Sequence, residues 1–317
     1  MSAGKPFLAA FSSGVVFVVV VSYMLPVGLC RRSAAWAENA STPPRKLHVA
    51  ASFYPLYYFA RIVADERAEV RNITPAGAEP HDYEPTARDV ARLEKSDLLI
   101  LNGGLEAWGD KIEAGLREKR VTIVIAGEGL LTRRVAEKGK TAQDPHVWLS
   151  PPLAKREVER IVDGFKKVDP NHSSLYEERA RGLEAQLDQL HRAYKVRLAR
   201  CRLRDIVTSH AAFAYLAEAY GLRQIAVAGL SPDAEPSPRK VAEIAKFAKA
   251  EGLKYIFFER LVSPRLSETL ASEIGAKTLV LDPIEGLSDE EIRRGKTYFT
   301  VMEENLTNLE RALECAT

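Results

Sequence analysis

The chain carries six histidines, and three share a setting. His81 sits in AGAEPHDYEPT (76–86), a segment whose Pro80 and Pro85 exclude a helix interior and which lacks the alternation of a strand. His146 lies in DPHVW (144–148), just before a helix start, and His210 ends the strand-like run 205–209, just before a second helix. Asp282 is placed similarly, closing KTLVLD ahead of Pro283. In open α/β sheets, ligands bind beyond the carboxyl ends of strands. Three imidazoles and a carboxylate suit a borderline divalent ion such as zinc, with manganese less favoured by so much nitrogen. Such imidazoles must be neutral and oriented through the second ring nitrogen. Asp82, Glu84 and Asp144 are close enough in sequence to do this, and Glu259, at a strand end, is a further candidate. Taken singly, each histidine reads more readily as a structural residue than as a ligand. His48, His172 and His191 are read only that way, as surface or packing residues beginning a strand, starting a helix and lying within it.

The elements that must position these residues alternate. Strands are expected over 47–52, 70–73, 97–102 and 121–126, with helices over 56–64, from Thr86, and over 105–118. Thr86 is an N-cap with Asp89 at the capping-box position. Ser150 and Pro151 open another helix. A proline-free segment from about His172 to Arg200 places Leu175, Leu183, Leu187, Leu190, Tyr194 and Leu198 at helical spacing, a rod on the order of 40 Å long. Strands then recur at 205–209, 224–228, 255–259 and 277–282. Helices lie over 211–220, after Ser237, from Ser263 to Gly275, and from Ser288 to the end. This is an α/β chain with parallel-type sheets flanked by helices. Two lobes are expected, at 46–170 and 201–317, joined by a long helix at 171–200.

The first 37 residues differ from the rest. Lys5, an apolar run from Phe7 to Leu29 and the Ala35-Trp36-Ala37 triplet form a secretory signal peptide, with cleavage expected after Ala37 and a linker over 38–45. The apolar run is also long enough to span a bilayer, so an uncleaved anchor is the alternative. Cys30 follows the bulky Leu29, which argues against a lipoprotein site. Either reading puts the folded part outside the cytoplasm, in the periplasm. Without the leader the chain has 42 basic and 43 acidic residues, so it has no basic field for nucleic acid. Cys201 and Cys315 remain, and an oxidising compartment permits them to pair.

The words around these residues carry more than their spacing does. PHDYEPT (80–86), LLILNGGLEAW (98–108), DPHVWLSP (144–151), TSHAAFAYLAEAYGL (208–222), SPDAEPSPRKVAEI (231–244) and GAKTLVLDPIEGL (275–287) occur in one order. With them the chain resembles the metal-binding solute receptors of bacterial ABC importers, the ZnuA/TroA-like family. The resemblance implies two lobes on a rigid helix and a metal in the cleft held by His81, His146, His210 and Asp282. It also implies delivery of the ion to a membrane permease, and a monomer is expected. A histidine at 210, where manganese and iron receptors commonly carry glutamate, favours zinc. Manganese or another divalent metal is the alternative. The segment LTRRVAEKGKTAQ (131–143) has no histidine, unlike the histidine- and acid-rich loop of many zinc receptors. Glu79 is a further carboxylate that could replace Asp282 or a water.

Three other readings use the same residues. A zinc hydrolase would use the three histidines with Glu259 or Asp82 as base, but four protein ligands close the open position it needs, and no H-E-x-x-H or G-x-S-x-G motif is present. A receptor for another small solute would use the histidines as hydrogen-bond donors. An adhesin would use the metal only to hold its fold. The expectation is a non-enzymatic receptor for a bare ion, without nucleic acid or an organic substrate.

Overall fold

A computed structural model describes Val18 and residues 45–137, 140–232 and 236–316. The expected leader and Cys30, and the linker up to residue 44, lie outside the described residues. Among the described residues no helix is long and apolar enough to cross a membrane.

The first four apolar runs pair as a parallel sheet. They are β1 (Leu47–Ala51), β2 (Ala68–Asn72), β3 (Leu98–Leu101) and β4 (Thr122–Ile125), in the order β2-β1-β3-β4. Val49 lies opposite Val70 on one side and Leu98 on the other, and Ile100 lies opposite Val124. All four residues of β3 are buried, as expected of a strand covered on both faces. The strand order turns back at β1, and in such sheets a crevice opens there beyond the carboxyl ends. Helices α1 (Tyr54–Ala64), α2 (Ala87–Leu93) and α3 (Gly109–Glu118) connect these strands.

The segment LTRRVAEKGKTAQ contains an antiparallel hairpin, β5 (Arg134–Glu137) with β6 (Lys140–Gln143). A single turn at Val147–Leu149 leads into α4 (Pro151–Val168), with Ser150 at the N-cap, though its side chain caps nothing. Gly164 lets α4 lie close on the sheet, since a Cβ there would sit 2.7 Å from Val124 Cγ2. The long helix is α5 (Ser173–Leu198), whose 26 residues span about 39 Å. Its buried stripe begins at Tyr176 and runs through Leu183, Leu187, Leu190, Tyr194 and Leu198. Fully burying a large apolar side chain contributes roughly 1.5–3 kcal/mol.

Beyond α5 the strands form two parallel pairs, β7 (Asp205–Thr208) with β8 (Arg223–Ala226), and β9 (Tyr255–Phe258) with β10 (Lys277–Val280). Around them lie α6 (Ala214–Ala219), α7 (Pro238–Ala250) and α8 (Arg265–Ile274). The closing helix is divided, contrary to the single helix expected. α9 (Asp289–Arg293) stops at Gly295, whose φ is +81°, and α10 (Tyr298–Ala312) starts afresh with its own capping box on Thr297. One apolar core runs from β1 and α1 through α4 and α5 to α10. Cys201 and Cys315 form a disulfide that ties the exit of α5 to the end of α10.

Candidate metal centre

The loop that carries His81 is anchored from its far end. Asp89 accepts from the Thr86 amide and hydroxyl and from the Tyr83 hydroxyl, which fixes the chain just past His81. On the near side the His81 amide donates to Glu79 Oε1 at 3.2 Å. His146 is fixed by its own segment and by the sheet. Asn102, at the end of β3, is fully buried and donates to the Pro145 carbonyl at 2.9 Å. Glu106 in turn accepts from the Asn102 and Gly103 amides and from Ser52 Oγ. From the other side Tyr215 donates to the Asp144 carbonyl at 3.1 Å. His210 leaves β7 with its carbonyl bonded to Thr208 Oγ1 and Gln224 Nε2.

These loops bring three imidazoles and one carboxylate together: His81, His146, His210 and Glu285. The Nε2 atoms of His81 and His210 lie 3.2 and 3.3 Å from His146 Nε2. Glu285 Oε1 lies 3.3, 3.2 and 3.4 Å from the Nε2 atoms of His81, His146 and His210. Tetrahedral zinc with bonds of about 2.0–2.2 Å requires donor–donor edges of about 3.3–3.6 Å. Five of the six donor–donor distances are thus close to those of a zinc tetrahedron, and all four donor atoms lie within 4.8 Å of one another.

The other ring nitrogens are held as well. His146 Nδ1 is 2.8 Å from Asp144 Oδ1, and His210 Nδ1 is 2.7 Å from Glu259 Oε1. Ser209 Oγ donates to the same Glu259 oxygen at 2.6 Å. A carboxylate behind each of these two imidazoles fixes the tautomer that leaves Nε2 free to coordinate. Of the four orienting residues expected, Asp144 and Glu259 are therefore at the histidines. Glu84 instead pairs at 2.8 Å with Lys111 on the exposed surface, and Asp82 is exposed.

The electrostatics are those of a cluster arranged for a cation. Burial holds the His81 imidazole below its usual value. Burial also opposes charge on His146 and His210, but it is outweighed by Asp144 and Glu285 for the first and by Glu259 and Glu285 for the second. Both end up raised, His210 strongly. The same imidazoles overcome burial at Glu285 and hold its carboxyl well below the ordinary range. Glu79, buried beside Glu285, is pushed up to about 9. Glu285 Oε2 and Glu79 Oε2 are buried with no hydrogen-bond partner among the described residues.

Asp282 is not in this group, contrary to expectation. Its Oδ1 accepts from the Ile284 amide at 2.7 Å, and its Oδ2 faces Arg260 Nε at 3.5 Å. An aspartate at the strand end is held back by these partners, while the chain runs on through Pro283 and Ile284 to present the longer Glu285. Ile284 has φ +58°, a left-handed conformation that costs a non-glycine residue roughly 1–2 kcal/mol. Trp148 Nε1 secures the turn by donating to the Pro283 carbonyl at 2.7 Å. The sequence did hold a signal for Glu285. In PIEG an acid stands between proline and glycine, much as His81 stands between two prolines.

A parallel-sheet α/β chain with three inward imidazoles and one carboxylate at tetrahedral spacing is of the divalent-metal-binding class. The chain belongs to the ZnuA family, described as "Zinc-uptake complex component A periplasmic", whose pattern matches residues 49–312. It is 36% identical to the high-affinity zinc uptake system protein ZnuA of Bacillus subtilis, over 94% of this chain and 97% of that protein. The crystal structure of Zn(II)-bound AdcA from Streptococcus pneumoniae superposes with TM-score 0.75 at 39% identity. That match covers 85% of this chain and 58% of AdcA, so the chain spans little more than half of that longer protein. The laminin-binding protein Lmb of Streptococcus agalactiae, described as bifunctional with adhesin and metal-transporting activity, superposes with TM-score 0.77 at 34% identity. It covers 85% of this chain and 100% of Lmb.

Proposed function

We propose that this protein is an extracytoplasmic zinc receptor that binds one bare ion through His81, His146, His210 and Glu285 and passes it to the permease of an ABC importer. The observation that carries this is the donor cluster, five of whose six donor–donor distances are 3.2–3.4 Å. Three nitrogens and one oxygen at that spacing favour zinc over manganese, which prefers more oxygens and a higher coordination number. The names of the relatives, a zinc uptake protein and a Zn(II)-bound receptor, support the same cargo. The two lobes at 46–170 and 201–317 would enclose the ion with α5 as their common spine.

The role is binding without chemistry. Four protein donors leave no open position on a tetrahedral ion for a water nucleophile. Glu259, one of the two residues a hydrolase would use as base, is occupied in orienting His210. The test is metal analysis of protein stripped with a chelator and reloaded with zinc in the presence of excess manganese. One zinc per chain is expected. Retention well below one, or manganese displacing zinc at comparable concentration, overturns the proposal.

A further inference from the structure

We propose that Asp282 is a positioning residue for the fourth ligand, setting the Asp282–Glu285 turn so that Glu285 Oε1 reaches the three imidazoles. The inference rests on the zinc-receptor reading above and assigns Asp282 a place outside the coordination sphere.

A β-branched residue does not stay in the left-handed region unless its surroundings hold it there. Ile284 is such a residue, it is fully buried, and it immediately precedes Glu285. The hold on its own amide is Asp282 Oδ1, at 2.7 Å. Asp282 is itself fixed at three points. Asn305 brackets its backbone, accepting from the Asp282 amide at 2.8 Å and donating to its carbonyl at 2.7 Å. Arg260 faces its second oxygen at 3.5 Å while donating to Glu291 at 2.8 Å and Glu304 at 2.7 Å. Arg260 directly follows Glu259, the carboxylate behind His210. The end of β9 thus sets two of the four donors, His210 through Glu259 and Glu285 through Arg260 and Asp282.

The test measures zinc affinity by chelator competition on the full chain, comparing the parent with Asp282→Ala and Asp282→Asn, each alone and combined with Glu285→Ala. Loss of an outer partner of a metal ligand typically weakens binding by about 10–100-fold, and Asp282→Ala is expected to fall in that range. Asp282→Asn keeps an acceptor for the Ile284 amide and is expected to stay within about threefold of the parent. In the Glu285→Ala background, Asp282→Ala is expected to add nothing, because its effect passes through Glu285. Parent-like affinity in Asp282→Ala, equal loss in the Asn variant, or a further loss without Glu285 each overturns the assignment. Asp282→Val, similar in volume and without an acceptor, replaces the alanine variant if that fails to fold. A zinc-free readout separates this inference from the receptor reading. Hydrogen exchange at the Ile284 amide is expected to quicken in Asp282→Ala but not in Asp282→Asn, and unchanged exchange in both overturns the positioning role even if the parent fails to retain zinc.

Discussion

At the scale of single residues, the site combines groups whose protonation opposes the cargo. His146 and His210 have folded pKa values raised above the unfolded value. Their contribution to the stability of the metal-free protein is complete below about pH 6.5 and is lost as pH rises through the folded values. Glu79, raised to about 9, acts in the same direction, since its folded form holds a proton that the unfolded chain releases near pH 4–5. Glu285, held low, stays charged throughout this window and contributes no slope there, and His81, held low by burial, acts in the opposite direction only below about pH 6.5. Zinc needs the imidazoles deprotonated, so its binding has the opposite sign. Between pH 6 and pH 8 the metal-free protein is expected to lose thermal stability while the rise in Tm produced by a fixed zinc concentration grows. Calorimetry with and without zinc checks this, and a zinc-induced shift that is equal or smaller at pH 8 contradicts it. The three histidines were legible because each stands in the stretch between a strand and the helix start that follows, His81 in a proline-stiffened loop, His146 just before a helix and His210 at the end of a strand. Glu285 was not, because the choice between two carboxylates three residues apart depends on where a left-handed isoleucine turns the chain, and sequence spacing does not encode that turn.

At the scale of elements, the capping box on Thr86, the strands and the long helix follow from local rules, and their expected and observed limits differ by a few residues. Two features did not follow. The hairpin β5–β6 has no apolar alternation to announce it, and the division between α9 and α10 depends on Gly295 and a cap at Thr297 within an otherwise continuous helical pattern. Close approach between elements was equally hidden. The Gly127 amide donates to the Asn102 carbonyl at 2.9 Å, and a Cβ on Gly127 would lie 2.6 Å from that same oxygen. Backbone on both sides leaves no flexible group to yield. Gly127→Ala is expected to destabilise by about 1–3 kcal/mol, lowering Tm by roughly 2–4 °C per kcal/mol in a domain of this size. Because Asn102 also holds the Pro145 carbonyl beside His146, zinc affinity should fall in the same variant. A parent-like Tm in thermal unfolding would show that β3 and the Gly127 turn can separate at no cost.

At the scale of the molecule, the chain from Arg45 onward is one compact unit, and the expected α/β architecture with its long helix is the observed one. What composition could not say was whether the two cysteines meet, since that depends on α10 returning along α5. Their bond spans 114 residues. Removing it by the double change Cys201→Ser and Cys315→Ser is expected to cost about 2–5 kcal/mol, largely through a less constrained unfolded chain. The urea midpoint measures it, and an unchanged midpoint would mean that the bond constrains neither state. The same bond alters how the molecule carries load. A pull applied beyond Cys315 bypasses the whole 201–315 ring and passes through sulfur straight into α5. About 400 Å of contour length is thereby kept out of the line of tension, together with β7 and β9, which lead to His210 and to Glu259 behind it, so His210 and Glu285, half of the metal cradle, are mechanically sheltered from that end of the chain.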